Sequence, residues 1–332
     1  MPDADEIFAN PHWVPHHYDA QEQKVQFVHL DRDEIRGLTF LADYQPQKPH
    51  NSYWMAANAL EPENIAAGQL HFIFHSAFVR STLLTRALDI PGKCLGLSEP
   101  GILNELAAAG PKALPIMAPV LQLLSRPFGP GEVMVIKPSN AANSLIPAML
   151  SARRDAKALL LTGSVENFLR SVHKKGMMGR RWARRLYSHL MQYAPIDLGM
   201  SKVDQFEATD LQYAGLAWFL QQRQFAMLLS SGERQRLRSL DSDRFNQERT
   251  KTLAGLSDLF GIDAKADEVS AVVDGPLFTT HAKLGGDFEA QIESEEKAAQ
   301  GGVVEQEVVM VAQWVDQISK AAGISWPLAR SL

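Results

Sequence analysis

The chain has 332 residues, 45% of them hydrophobic and 21% charged, a balance that fits a folded globular protein and excludes a disordered one. At about 150 residues per domain the length allows roughly two domains, or one large α/β domain with insertions. Lys and Arg number 33 against 38 Asp and Glu, so the net charge of −5 excludes general nucleic-acid binding and leaves any anion site local.

The single cysteine, Cys94, excludes an internal disulfide and a thiolate metal cluster. Within Cys94-Leu95-Gly96-Leu97 it reads as a small buried hydrophobe. The start, Met1 to Glu6, is acidic and lacks the apolar segment of a secretory leader. The most apolar stretch, Ala113 to Leu124, is shorter than the roughly 20 residues a membrane span needs. The expectation is a reduced, cytoplasmic protein with neither membrane nor nucleic acid as partner.

Residues 1–66 read as an N-terminal extension packed on the core, irregular in structure and punctuated by Pro11, Pro15, Pro46, Pro49 and Pro62. One strand candidate, Lys24 to Leu30, interrupts it. The spacing His12-x3-His16-His17 invites a metal reading, but prolines at 11 and 15 break the helix that would align His12 with His16. No carboxylate stands at motif spacing, so these are expected to be surface or structural histidines and no metal is expected.

From Gln69 the pattern becomes strand, turn, helix, four times over. His71 to His75 precedes a helix over Ser81 to Leu88, and Cys94 to Leu97 precedes one over Gly101 to Ala109. A proline-interrupted helical stretch, Lys112 to Arg126, comes next. Val133 to Ile136, a continuous apolar run of the kind buried on both faces, leads to a helix capped by Asn140 or Asn143. Ala158 to Leu161 leads to one long helix with Ser164 as N-cap. Such repetition predicts an α/β fold, a mainly parallel sheet with helices on both faces. In such folds ligands bind where strand C-termini meet helix N-termini. Beyond Gly199 the predicted elements are a helix over Leu211 to Leu229, a strand over Leu237 to Leu240, a helix over Thr250 to Phe260 closed by Gly261, and a last helix over Val303 to Ala322. No repeat or linker divides this region, so 67–332 is expected to be one domain.

The candidate chemistry sits at those strand ends. His75 closes the first strand, and Ser76-Ala77-Phe78-Val79-Arg80-Ser81-Thr82 turns into the helix. N–H groups without intrahelical acceptors, together with hydroxyls, make an anion site there. An ordinary capped helix is the competing reading. The segment is not a Walker A loop, because Val79-Arg80 stands where Gly-Lys would be. Glu99 follows the second strand as a candidate general base, and Lys137 ends the third as a cation able to neutralise a transferring group. Arg170, Lys174, Lys175, Arg180, Arg181, Arg184 and Arg185 make a basic run with no acid between Glu166 and Asp197. It is a local positive field or a solvated helix face.

The run His75-Ser-Ala-Phe-x-x-Ser-Thr-Leu-Leu-x-Arg-Ala-Leu-Asp89 resembles the P-loop sulfotransferase superfamily, bacterial sulfotransferase-like proteins in particular. So do Leu97-Ser98-Glu99-Pro100, Val135-Ile136-Lys137-Pro138, Phe168-Leu-Arg-Ser171-Val172 and the Leu-rich helix ending in Phe260-Gly261. The likeness spans about residues 69–285. It implies a P-loop NTPase-like sheet with a helix-rich C-terminal half. Residues Ser76, Ala77, Phe78, Val79, Arg80, Ser81 and Thr82 would cradle the 5′-phosphosulfate of 3′-phosphoadenosine 5′-phosphosulfate, and Ser171 its 3′-phosphate. Glu99 or His75 would act as base and Lys137 would stabilise charge, in transfer of a sulfuryl group to a small hydroxyl or amine acceptor. Two positions depart from the family. Phe78 stands at the loop cation, with Arg80 at the loop glycine, and Gly163 stands at the arginine that binds the 3′-phosphate. A nucleotide-binding P-loop kinase or NTPase, lacking the loop lysine, and a non-catalytic anion-binding descendant are the other readings. Oligomeric state is left open.

Overall fold

The structure, a computed structural model, describes residues 2–48, 51–61, 65–279 and 302–332. Pro49, Pro62 and the end of the 69–285 resemblance lie outside them.

The N-terminal region is more regular than its prolines imply. Strands β1 (Trp13–Asp19), β2 (Lys24–His29) and β3 (Ser52–Ala56) form an antiparallel sheet in that order. Pro15 hides β1 from the sequence. It sits where the register shifts between Pro15 and His17, and such an irregularity accepts a residue without an N–H. Helices α1 (Ala4–Ala9) and α2 (Arg32–Gly37) are started by Asp3 and by an Asp31/Glu34 capping box.

Arg126 ties this region down. Its buried guanidinium donates to the carbonyls of Ile7, Phe8 (3.1 Å), Asn10 (2.9 Å), Trp13 and Leu123 (2.9 Å). Burial lowers its pKa to about 10, so it stays charged at neutral pH. Arg126→Met strands those carbonyls, and urea unfolding is expected to show a loss of about 3–5 kcal/mol. A loss below about 1 kcal/mol would mean that water replaces the guanidinium without penalty.

The main sheet contains β4 (Leu70–His75), β5 (Cys94–Ser98), β6 (Val133–Lys137), β7 (Ala158–Thr162) and β8 (Leu237–Asp241), in the order β5-β6-β4-β7-β8. β6 pairs in parallel with β4 and with β5. β4, β6 and β7 are buried at every position, as their unbroken apolar runs require. The helices are α3 (Ser81–Ala87), α4 (Gly101–Ala109), α5 (Leu114–Leu124), α6 (Ile146–Ala152), α7 (Val165–Lys174), α8 (Gly176–Tyr193), α9 (Lys202–Glu207), α10 (Asp210–Ser230), α11 (Ser242–Gln247), α12 (Arg249–Phe260), α13 (Ala266–Val273), α14 (Pro276–Thr279) and α15 (Gly302–Ala321).

Three local readings change. The long helix after Ser164 is two helices, broken at Lys175 where Gly176 takes φ 57°. Ser139, not Asn140 or Asn143, caps the turn before α6, and the Asn143 amide donates instead to the His75 carbonyl at 3.1 Å. Gly101–Leu124 is a helical run long and apolar enough, by length and composition, to cross a membrane, though Ile102, Leu103, Leu106, Met117, Val120 and Leu121 are all buried within the protein. Cys94 is buried, and burial pushes its thiol pKa up.

The described residues form two compact units, those within 2–75, 80–159 and 248–279, and those within 76–79, 160–247 and 302–332. The second has its own core, in which Ala77, Phe168, Leu169, Leu186, Trp218, Val308 and Val315 cluster.

Two histidines of the first unit are buried neutral. Burial, aided by the neighbouring His17, lowers His16 to about 4, and burial lowers His71, stacked on Phe260, to about 4. Both folded values lie below the unfolded 6.5, so the unfolded chain binds more protons and stability falls as pH drops from 6.5 towards 4. Each contributes roughly 3 kcal/mol at the acid limit. Partly offsetting this, His17, raised by its 2.6 Å bond to Glu105, gains stability as it protonates. Urea midpoints should fall between pH 7 and pH 5, and less so in His71→Asn. A flat profile would show that the rings are not buried neutral.

Candidate functional site

In the first unit, the C-terminal ends of β5 and β6 bring Glu99 and Lys137 together. The run Val133 to Lys137 is buried throughout and carries its cation at the last position, where the Lys137 side chain is 0% exposed. A buried ammonium needs a carboxylate, and Glu99 supplies it, with Oε1 2.5 Å from Nζ. The Phe40 ring lies 5.2 Å from the ammonium. Glu99 reaches inward because its backbone takes φ 50° just past β5. Its N–H donates to Lys137 O at 2.7 Å, and its carbonyl accepts from Ala42 N–H at 3.1 Å. Both backbone groups of a strained residue are thus clamped, which is how such a conformation persists.

His75 ends β4 buried. Its Nε2–H donates to the Pro138 carbonyl at 3.0 Å, so the ring braces the turn after β6. Past His75 the backbone bends through left-handed conformations at Phe78 (φ 62°) and Arg80 (φ 56°), uncommon for bulky side chains. Ser81 and Thr82 then open α3 with buried side chains.

The residues at the two positions that differ from the superfamily pattern, Phe78 and Gly163, have packing reasons. In the second unit the Phe78 ring lies 5.7 Å from Phe168 and 5.1 Å from Trp182, an aromatic group that a cation would disrupt. The Lys175 ammonium stands 5.6 Å from the Phe78 ring centre, so positive charge is present over the residue that lacks it. At Gly163 a Cβ would lie 2.9 Å from Ser242 Oγ and 3.1 Å from a Val79 methyl, so any larger side chain there requires both neighbours to shift. Trp218 Nε1–H also donates to the Gly163 carbonyl at 2.8 Å.

Ser171 is partly exposed on α7, and its hydroxyl donates to Asn167 O at 2.8 Å. Arg170 is engaged by Glu305, whose carboxyl it holds below the usual range, and Arg184 by Asp210 at 2.5 Å. Lys175, Arg180, Arg181 and Arg185 have no carboxylate partner among the described residues. A separate cleft of about 790 Å³ in the second unit, lined by Arg184, Tyr187, Met191, Ile196, Leu198 and Tyr213 among others, takes in Arg184 of the basic run and none of Ser76 to Thr82, Glu99, Lys137, His75 or Ser171.

Sequence reasoning found Glu99 and Lys137 singly but not as a pair, and it missed Phe40. The pairing follows from the adjacency of β5 and β6. Nothing in the local sequence around Phe40 signals its place.

No family model and no curated protein matches the sequence. Among solved structures the chain is similar to the sulfotransferase domain from the curacin biosynthetic pathway, at 14% identity over 79% of this chain and 99% of that one, with a TM-score of 0.43. It is similar to a sulfotransferase from Alicyclobacillus acidocaldarius, at 13% identity over 72% and 96%, TM-score 0.41. It is also similar to a mouse sulfotransferase complexed with PAP, at 10% identity over 66% and 70%, TM-score 0.35. Each of these proteins is a sulfotransferase, and each likeness is one of fold at low identity.

Proposed function

We propose that the chain is a cytoplasmic sulfotransferase-like enzyme. In this reading it moves a sulfuryl group from 3′-phosphoadenosine 5′-phosphosulfate to a small hydroxyl or amine acceptor. The observation that carries the reading is the Glu99–Lys137 pair, a carboxylate and a fully buried ammonium at the C-terminal edge of parallel strands. It coincides with the motifs that resemble the superfamily.

The residues fit the donor at its sulfuryl end. A buried cation, the buried hydroxyls of Ser81 and Thr82, and a carboxylate able to take a proton are the groups such a transfer uses. The bound donor supplies a sulfuryl group on a good leaving group, the phosphate oxygen. Lys137 meets negative charge as the sulfur–oxygen bond to that phosphate breaks. Glu99 takes the proton as the acceptor oxygen or nitrogen bonds to sulfur, so charge and atoms balance. Ser171 is the proposed contact for the 3′-phosphate, with Lys175 adding charge where Phe78 carries none.

Calorimetric titration tests the reading. Binding of 3′,5′-diphosphoadenosine without a metal, weakened by Thr82→Val, supports it. Mg²⁺-dependent binding of ATP in its place would move the chain to the kinases and NTPases. Binding of neither nucleotide would leave a non-catalytic descendant.

A further inference from the structure

Ser98 ends β5 with its side chain buried, and its Oγ has no hydrogen-bond partner. Burial without a partner costs stability, so the hydroxyl contributes nothing to the fold that alanine would not. Its position gives it another use. Ser98 pairs in register with Lys137, and register partners project to the same sheet face.

Gly96 lies two residues back on that face. A Cβ there would be 2.6 Å from a Thr85 methyl and 2.8 Å from the Thr85 carbonyl, so α3 presses directly on β5. A helix crossing between parallel strands runs antiparallel to them. The turn from Thr85 back to Ser81, about 6 Å, therefore keeps pace with the step from Gly96 to Ser98, about 6.6 Å. Ser98 and Lys137 thus stand at one strand level on one face, and the Lys137 ammonium holds the Glu99 carboxylate.

We propose that Ser98 binds the acceptor and selects an alcohol over an amine; this rests on the sulfuryl-transfer reading. Glu99 Oε1 is held by Lys137, while Oε2 has no protein partner among the described residues. An acceptor hydroxyl donates its proton to Oε2 and accepts from Ser98 Oγ–H, which satisfies both. An alkylamine at neutral pH arrives as an ammonium, with no lone pair for Ser98 and a like charge facing Lys137. The bonds made and broken are those given above, with the acceptor atom fixed as oxygen.

The test supplies 3′-phosphoadenosine 5′-phosphosulfate carrying sulfur-35 with alcohols and amines of matched carbon skeleton. Label should pass to the alcohols and not to the amines. Ser98→Ala should raise the alcohol KM about tenfold, and Ser98→Thr should restore it. The Kd for 3′,5′-diphosphoadenosine should stay within about twofold of the parent. Ser98→Ala should also melt no lower than the parent, because it removes an unsatisfied group. Equal or faster transfer to amines, an unchanged KM in Ser98→Ala, or a lower melting temperature overturns the assignment. So does binding of 3′,5′-diphosphoadenosine with no transfer to any alcohol, which leaves the nucleotide reading intact. Absence of that binding overturns the reading beneath it.

Discussion

Lys137→Met is expected to lower turnover about 10²–10³-fold while the protein remains folded. The ammonium is fully buried at the strand edge, so on the sulfuryl-transfer reading the charge it would place against a leaving oxygen is weakly screened. Methionine keeps most of the side-chain volume and the contact with Phe40, so the loss is one of charge and not of packing. Removing one partner of a buried ion pair usually strands the other. Here Glu99 keeps 22% of its side chain exposed and can turn to water, which is why folding should survive. Steady-state rates with the labelled donor, set beside thermal melts, read both halves. Full activity in Lys137→Met would remove the charge-stabilising role and much of the case for sulfuryl transfer.

How much of this was legible in the sequence depends on the range of the interactions. β4 to β7 and α4 were readable because a strand buried on both faces is a short apolar run between turn residues. β1 was not, because Pro15 reads as a breaker unless the partner strand is known to slip its register there. The division of the helix at Lys175 was carried by Gly176, with Gly179 close after it, and glycines inside a helical pattern do not decide between a kink and a close contact.

At the site, Glu99 and Lys137 could each be singled out from their strand ends, and His75 likewise. Pairing is a matter of sheet order, and β5 lies beside β6 while β4 lies on the other side. That order joins Glu99 to Lys137 and leaves His75 bonded to Pro138. The tight packing at Gly163 is invisible along the chain, because Val79 and Ser242 approach it from segments far apart in sequence.

Glu99→Gln carries the other large effect, a fall in kcat of about 10²–10⁴-fold with the Kd for 3′,5′-diphosphoadenosine nearly unchanged. Glutamine is nearly isosteric, and its amide oxygen still accepts from Lys137 Nζ, so the buried ammonium keeps a partner. The backbone bonds to Lys137 O and from Ala42 N–H do not involve the side chain, so the left-handed turn at Glu99 persists. What disappears is the ability to take a proton. A base acts in the transition state, so its loss appears in kcat and not in nucleotide binding. The combined Lys137→Met, Glu99→Gln variant should then be little slower than the worse single variant, since the groups act as a unit. Equal losses in kcat and nucleotide affinity would assign Glu99 to structure, as the counter-ion that lets Lys137 be buried. Strictly additive effects in the double variant would separate the two residues into independent roles, and the pair would cease to be the centre of the site.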